Sequence, residues 1–224
     1  MFINSKHNLI ITQREHAKLA GNIALNWGNN DFDKPKIPFH DFVEGIAFHQ
    51  NGSDCFDTYQ AAAGNYDELP NVLAKDFYAK LNSKVASLIN MYHQYRLATR
   101  ISKKIDSDTL VELADEFKKE IDKQLITSEF IEQDFLWADK IANMCDRLAF
   151  DFSNGKSIEE IFEIYSEVKS TDKTVIKFKF DGTEISLDKW PFCSDKLRFN
   201  VIGFERDKYP QVLIPHLIQF ELSL

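Results

Sequence analysis

Residues 39–54 read FHDFVEGIAFHQNGSD, and the fold expected for the whole chain turns on this stretch. Pro38 supplies the fixed φ that suits a first helical turn, and Phe42, Ile46 and His49 recur at i, i+4 and i+7. That spacing predicts an amphipathic helix with His49 on its apolar stripe, stopped by Asn51-Gly52 just after Gln50. A histidine so placed has two readings. It is a core imidazole donating one hydrogen bond, or it is one arm of a metal site built between helices.

Working outward, residues 2–5 and 9–12 read as a short hairpin, and Thr12-Gln13-Arg14-Glu15 as a capping box. The helix it opens runs to about Trp27 and carries His16, Leu19, Ala20 and Ile23 on one stripe, so a second histidine faces inward. On the other side, the loop over residues 51–69 is longer than most connections in compact domains, which predicts a lid or binding loop. Phe56, Tyr59 and Tyr66 are aromatic where no core stripe demands them, and with Asp54 and Asp57 they are the candidates for ligand contact. A long helical region follows from Pro70 to about Lys104, with His93 sharing a face with Ala86, Ile89 and Leu97. A charged helix is expected over 107–122 and another from Thr127 or Ser128 to about Phe152. Asp139 and Asp146 border the apolar stripe of the latter, where unpaired charge is unusual, with Arg147 as the obvious structural partner of Asp146.

A second capping box, Ser157-Ile158-Glu159-Glu160, predicts a short helix to about Val168. The pattern then alternates as TVIKFKF over 174–180, turns at Asp181-Gly182 and returns as TEISL, with further strands at 197–204 and 217–222. The expected fold is therefore mainly α. It is a single domain over residues 1–224, with a helical body over about 12–168 and a small antiparallel β appendage over about 172–224, joined by residues 1–12.

Composition limits the function. A net charge of −8 argues against a nucleic-acid surface, because phosphate contacts need clustered Lys and Arg. No apolar run approaches the ~20 residues needed to span a bilayer. Three cysteines without metal-ligand spacing read as reduced thiols, so the expected location is the cytoplasm. The last strand, LIQFELSL, is expected to offer an edge through which a homo-oligomer could form.

Three histidines on the inner faces of three helices, with Asp146 beside the inner face of a fourth, match a donor set that suits Mn, Fe, Ni or Zn. No Glu-x-x-His pair points to a di-iron centre. The order His16, His49 plus a polar neighbour, then Asp146, resembles the HD-domain superfamily, which implies an HD-like helical bundle and metal-dependent phosphohydrolase chemistry. Over nearly its full length the chain also resembles the family labelled domain of unknown function 3891. The segments that carry this likeness are LIITQREHAKLAG at 9–21, VEGIAFHQNG at 43–52, the His93 region, CDRLAFDF at 145–152 and DKWPF at 188–192. The resemblance implies His16, His49 and Asp146 as metal ligands, with Gln50 and His93 as weaker ones. Gln50 stands where the HD pattern has its aspartate, and Ser53 where the family usually has a tryptophan. The expectation is thus a degenerate, non-catalytic protein that binds metal or a ligand such as a small-molecule phosphate or other anion. The alternative is a phosphohydrolase acting on a phosphate ester or nucleotide-like molecule.

Overall fold

In the computed structural model, the described residues are 1–50, 67–156, 158–165, 173–180 and 185–223. Strands β1 (Phe2–Asn4) and β2 (Leu9–Ile11) form the predicted hairpin, with Ile3 opposite Ile10. Helix α1 (Gln13–Leu25) starts at Thr12, whose hydroxyl accepts the Glu15 N–H at 3.2 Å. The capping box is not reciprocal, because the Glu15 carboxylate instead accepts the N–H of Ile202 at 3.1 Å. One residue thus ties the first helix to a strand late in the chain.

Helices α2 (Phe39–Ala47), α3 (Leu69–Phe77), α4 (Lys84–Ile105), α5 (Asp108–Ile126) and α6 (Glu132–Asn154) follow. The single long helix expected from Pro70 is two. Ser83 caps the second, accepting the Ala86 N–H at 2.9 Å, and so begins a new first turn. Helix α6 ends at Gly155, whose φ of +62° supplies the left-handed residue that closes many helices.

The remaining strands are β3 (Ile158–Tyr165), β4 (Lys173–Phe180), β5 (Ile185–Leu187), β6 (Lys196–Glu205) and β7 (Pro215–Ser223). With the N-terminal hairpin they make one seven-stranded sheet in the order β1-β2-β6-β7-β5-β4-β3. Its pairings are antiparallel except for β5 with β7, where Ile185 sits opposite Leu222. The sheet curls into a half-barrel and takes 23% of the chain against 49% in helices.

Two expectations are corrected by this architecture. The chain is not a mainly helical, HD-like bundle with a small antiparallel appendage, because the mixed sheet shares one core with the helices. Along β6, Leu197, Phe199 and Val201 alternate with exposed neighbours and face inward. Phe152 of α6 meets Phe180 and Phe220 of the sheet at ring distances of 5.4 and 4.4 Å. Residues 158–165, expected to be helical, form β3. There the capping signal loses to period-2 burial of Phe162 and Ile164 and to pairing along β4, with Lys179–Glu159 and Lys173–Glu163 bridges across the ladder.

Strand β7, expected to offer a free edge, lies between β6 and β5. Among the described residues the outer strands are β1 and β3. No helix among them is long and apolar enough to cross a membrane.

Candidate metal centre

Two close helix contacts help bring the histidines together. His16 lies in the first turn of α1, its N–H bonded to the Thr12 carbonyl at 3.0 Å. Gly21 then lets α1 and α2 touch: a Cβ there would stand 2.5 Å from the Cβ of Ala47. Gly45 does the same between α2 and α4, where a Cβ would meet the Ala86 carbonyl oxygen at 2.6 Å. A glycine inside a helix costs about 1 kcal/mol relative to alanine, and close backbone approach is the compensation at both positions.

The predicted helix over 39–54 is shorter than its pattern. It stops at Ala47, and His49 lies two residues beyond. There its Nδ1 donates to the Ile46 carbonyl at 2.6 Å, while its own carbonyl accepts from the Gln94 amide. His93 projects from the middle of α4, and Asp146 from α6. All four are buried, His49 at 1% exposure and Asp146 at 7%.

One ligand atom from each of His16, His49 and Asp146 lies within 4.8 Å of the others. His16 Nε2 is 2.9 Å and His49 Nε2 3.5 Å from Asp146 Oδ1. Metal–ligand bonds of about 2.0–2.2 Å place neighbouring donor atoms roughly 2.9–3.5 Å apart, so these separations need little adjustment to hold an ion. His93 is adjacent, its Nδ1 4.0 Å from Asp146 Oδ2 and its ring 4.1 Å from that of His49. Its Nδ1 accepts a hydrogen bond from Arg96 at 3.0 Å, so that lone pair is already engaged. Gln50 is buried beside His49.

Partner chemistry assigns the tautomers. The Ile46 carbonyl can only accept, so His49 Nδ1 carries the proton. Burial, with the field of His16 and Arg96 added, lowers the His49 pKa to about 4 against the attraction of Asp146, so the ring is neutral. Its Nε2 is therefore a lone pair with no hydrogen-bond partner, and it faces a carboxylate oxygen. Burial likewise holds His93 well below the usual histidine range, with His49 adding repulsion. For Asp146, burial pulls the pKa up, but the attraction of His93, His16 and His49 when protonated and the hydrogen bond from His16 outweigh it and hold the carboxylate well below its ordinary value. The ionised Asp146 carboxylate accepts the His16 Nε2–H at 2.9 Å, leaving His16 Nδ1 unpartnered. With the His49 lone pair facing the same oxygen, the cluster is electron-rich, and a cation would take the place of the His16 proton once that proton moves to Nδ1.

Arg147, the structural partner expected for Asp146, pairs instead with Glu160 of β3, and Asp139 pairs with Arg96. The loop candidates Asp54, Phe56, Asp57, Tyr59 and Tyr66 lie outside the described residues. Sequence reasoning missed Gly21, Gly45, Gln94 and Arg96. The two helix-interior glycines carried a readable signal, since such glycines usually have a packing reason.

The family model described as "Protein of unknown function (DUF3891)" matches residues 1–204. The chain belongs to that family. No curated protein and no solved structure matches it. The comparisons give no support to a kinship with the HD-domain superfamily. The role of these DUF3891 residues therefore has to be argued from their own geometry.

Proposed function

We propose that this DUF3891 protein binds one divalent transition-metal ion (Mn, Fe, Ni or Zn) through His16 Nε2, His49 Nε2 and Asp146, and acts as a metal- and ligand-binding protein. His93 and Gln50 are the neighbouring groups able to complete or orient the shell. The observation that carries this reading is the unpartnered His49 lone pair facing Asp146 in a buried cluster. The set of two imidazoles and one carboxylate suits a borderline ion better than Mg or Ca, which prefer all-oxygen shells. The free thiols of Cys145 and Cys193 suit a reducing compartment such as the cytoplasm.

A second reading, a phosphohydrolase acting on a phosphate ester or nucleotide-like molecule, is favoured by Arg96, whose guanidinium touches His93 beside the cluster. A divalent ion there would supply Lewis-acid polarisation of a phosphoryl oxygen. Arg96, already paired with Asp139, would place a guanidinium beside the same group. Titration calorimetry of zinc or nickel into chelator-stripped protein tests the binding reading, with His49→Gln and Asp146→Asn as comparisons. One strong site in the wild type, lost in both variants, is expected, whereas equal binding in all three proteins would remove the assignment. Release of p-nitrophenol from p-nitrophenyl phosphate by the metal-loaded protein, absent in Asp146→Asn, would select the hydrolase reading over the binding one.

A further inference from the structure

Helix α4 carries more than His93. Tyr92, Arg96, Arg100 and Lys104 recur every four residues and so share one stripe. This stripe lines a groove of about 640 Å³ between α4 and α6, with Lys103 beside it and Leu136 on the opposite wall. The volume falls within the range of small-molecule sites and is too large for a bare inorganic anion.

Its charge runs against the rest of the chain, which is net −8. Arg96 is engaged by Asp139 and His93. Arg100, Lys103 and Lys104 have no hydrogen bond or ion pair among the described residues. Lys103 and Lys104 also complement the C-terminal end of the helix dipole, but Arg100 lies too far back to do so. Arg100 is exposed as a residue, yet protein crowds its guanidinium enough that desolvation, with repulsion from Arg147 added, lowers its pKa.

Tyr92 is only 2% exposed and lines the groove, and its hydroxyl is buried without a partner. The rest of the lining is mixed: Thr99 and Asp139 are polar, with the Asp139 carboxylate held by Arg96, while Tyr95 is half-buried and Leu136 is 41% exposed, a large aliphatic side chain left uncovered.

We propose that this groove binds an organic phosphate, with the phosphate on Arg100 and the adjoining lysines and a flat apolar body against Tyr95 and Leu136. A phosphomonoester carries between one and two negative charges at neutral pH, which three unpaired cations match better than a carboxylate would. Guanidinium groups also bind phosphate through two parallel hydrogen bonds. Arg96 joins the groove to the histidine cluster, so the proposal names a ligand class for the same site. Its functional meaning rests on the metal-binding reading, while anion binding itself does not need the metal.

The test is calorimetric titration of phenyl phosphate into the full chain stripped of metal. The proteins compared are wild type, Arg100→Gln, Lys104→Gln and the control Lys119→Gln, an exposed lysine outside the groove. Saturable binding is expected, weakened at least tenfold by Arg100→Gln, several-fold by Lys104→Gln, and unchanged by Lys119→Gln. Inorganic phosphate should bind more weakly than phenyl phosphate, and phenol not at all. No binding to the wild type, or equal binding by Arg100→Gln of native circular dichroism, would overturn the proposal. Inorganic phosphate binding as tightly as phenyl phosphate would overturn the apolar half of the site. The His49→Gln variant separates the two readings: it should lose metal and keep phenyl phosphate, and loss of phenyl phosphate there as well would also overturn the proposal.

Discussion

Asp151 sits five residues beyond Asp146 on α6 and is 3% exposed, with one carboxylate oxygen lacking any hydrogen-bond partner. Burial raises its pKa from 3.8 to about 7; Arg147 works against the rise, and Glu160 and Asp146 add to it. Between those two pH values the folded chain keeps a proton that the unfolded chain has lost, so stability must fall as pH rises through this window. At about 1.4 kcal/mol per pH unit, the loss accumulates to roughly 4 kcal/mol by pH 7. Replacing Asp151 by Asn removes the titration while keeping the shape. Urea unfolding of both proteins in chelator at pH 4, 5, 6, 7 and 8 isolates the effect, because every other titrating group is common to the pair. The variant should match the wild type within about 1 kcal/mol at pH 4 and exceed it by several kcal/mol at pH 8. A stability difference that stays constant across this range would refute the reasoning.

His49 moves stability in the opposite sense. Its folded pKa of about 4 lies below the ordinary 6.5, so its contribution is complete above pH 6.5 and is lost as pH falls towards 4, by roughly 3 kcal/mol in all. Urea titrations of His49→Gln should lack this slope. Gly45→Ala drives a methyl group to 2.6 Å from the Ala86 carbonyl, so it should cost about 1–3 kcal/mol and weaken zinc binding as α2 is pushed away from α4. Denaturant unfolding and zinc calorimetry on the same preparation check both halves of that statement. Phe152→Ala removes the ring joining α6 to the sheet and should cost about 3–5 kcal/mol. Helical and sheet signals should still unfold in one transition, because the core is shared.

The candidate site was more legible than the fold around it. Inward-facing positions at helical spacing picked out His16, His49 and His93, because burial of one stripe is a local rule that survives changes in helix length. Asp146 was legible as a carboxylate bordering such a stripe. The arrangement of α2 was not, since Asn51-Gly52 marks a stop but nothing in the local pattern says that the helix ends at Ala47 and hands His49 to the Ile46 carbonyl. The sheet was under-read for a similar reason. Ser157-Ile158-Glu159-Glu160 satisfies a capping rule locally, and only the facing ladder of β4 makes the same residues a strand. The partition of β1, β2 and β6 into one sheet depends on pairing between residues some 190 positions apart, such as Leu9 with Glu205. Arg96 and Arg100 read as ordinary helix surface until the neighbouring wall from α6 is in place.

The most direct measurement is metal content by elemental mass spectrometry. It would be made on protein purified without an affinity metal column, incubated with manganese, iron, nickel and zinc, and then freed of excess, beside Asp146→Asn. About one equivalent of a transition metal in the wild type and none in the variant is the predicted result. No metal in the wild type, in a protein whose folding is intact, would contradict the account. The histidine cluster would then be a buried polar core and not a metal centre.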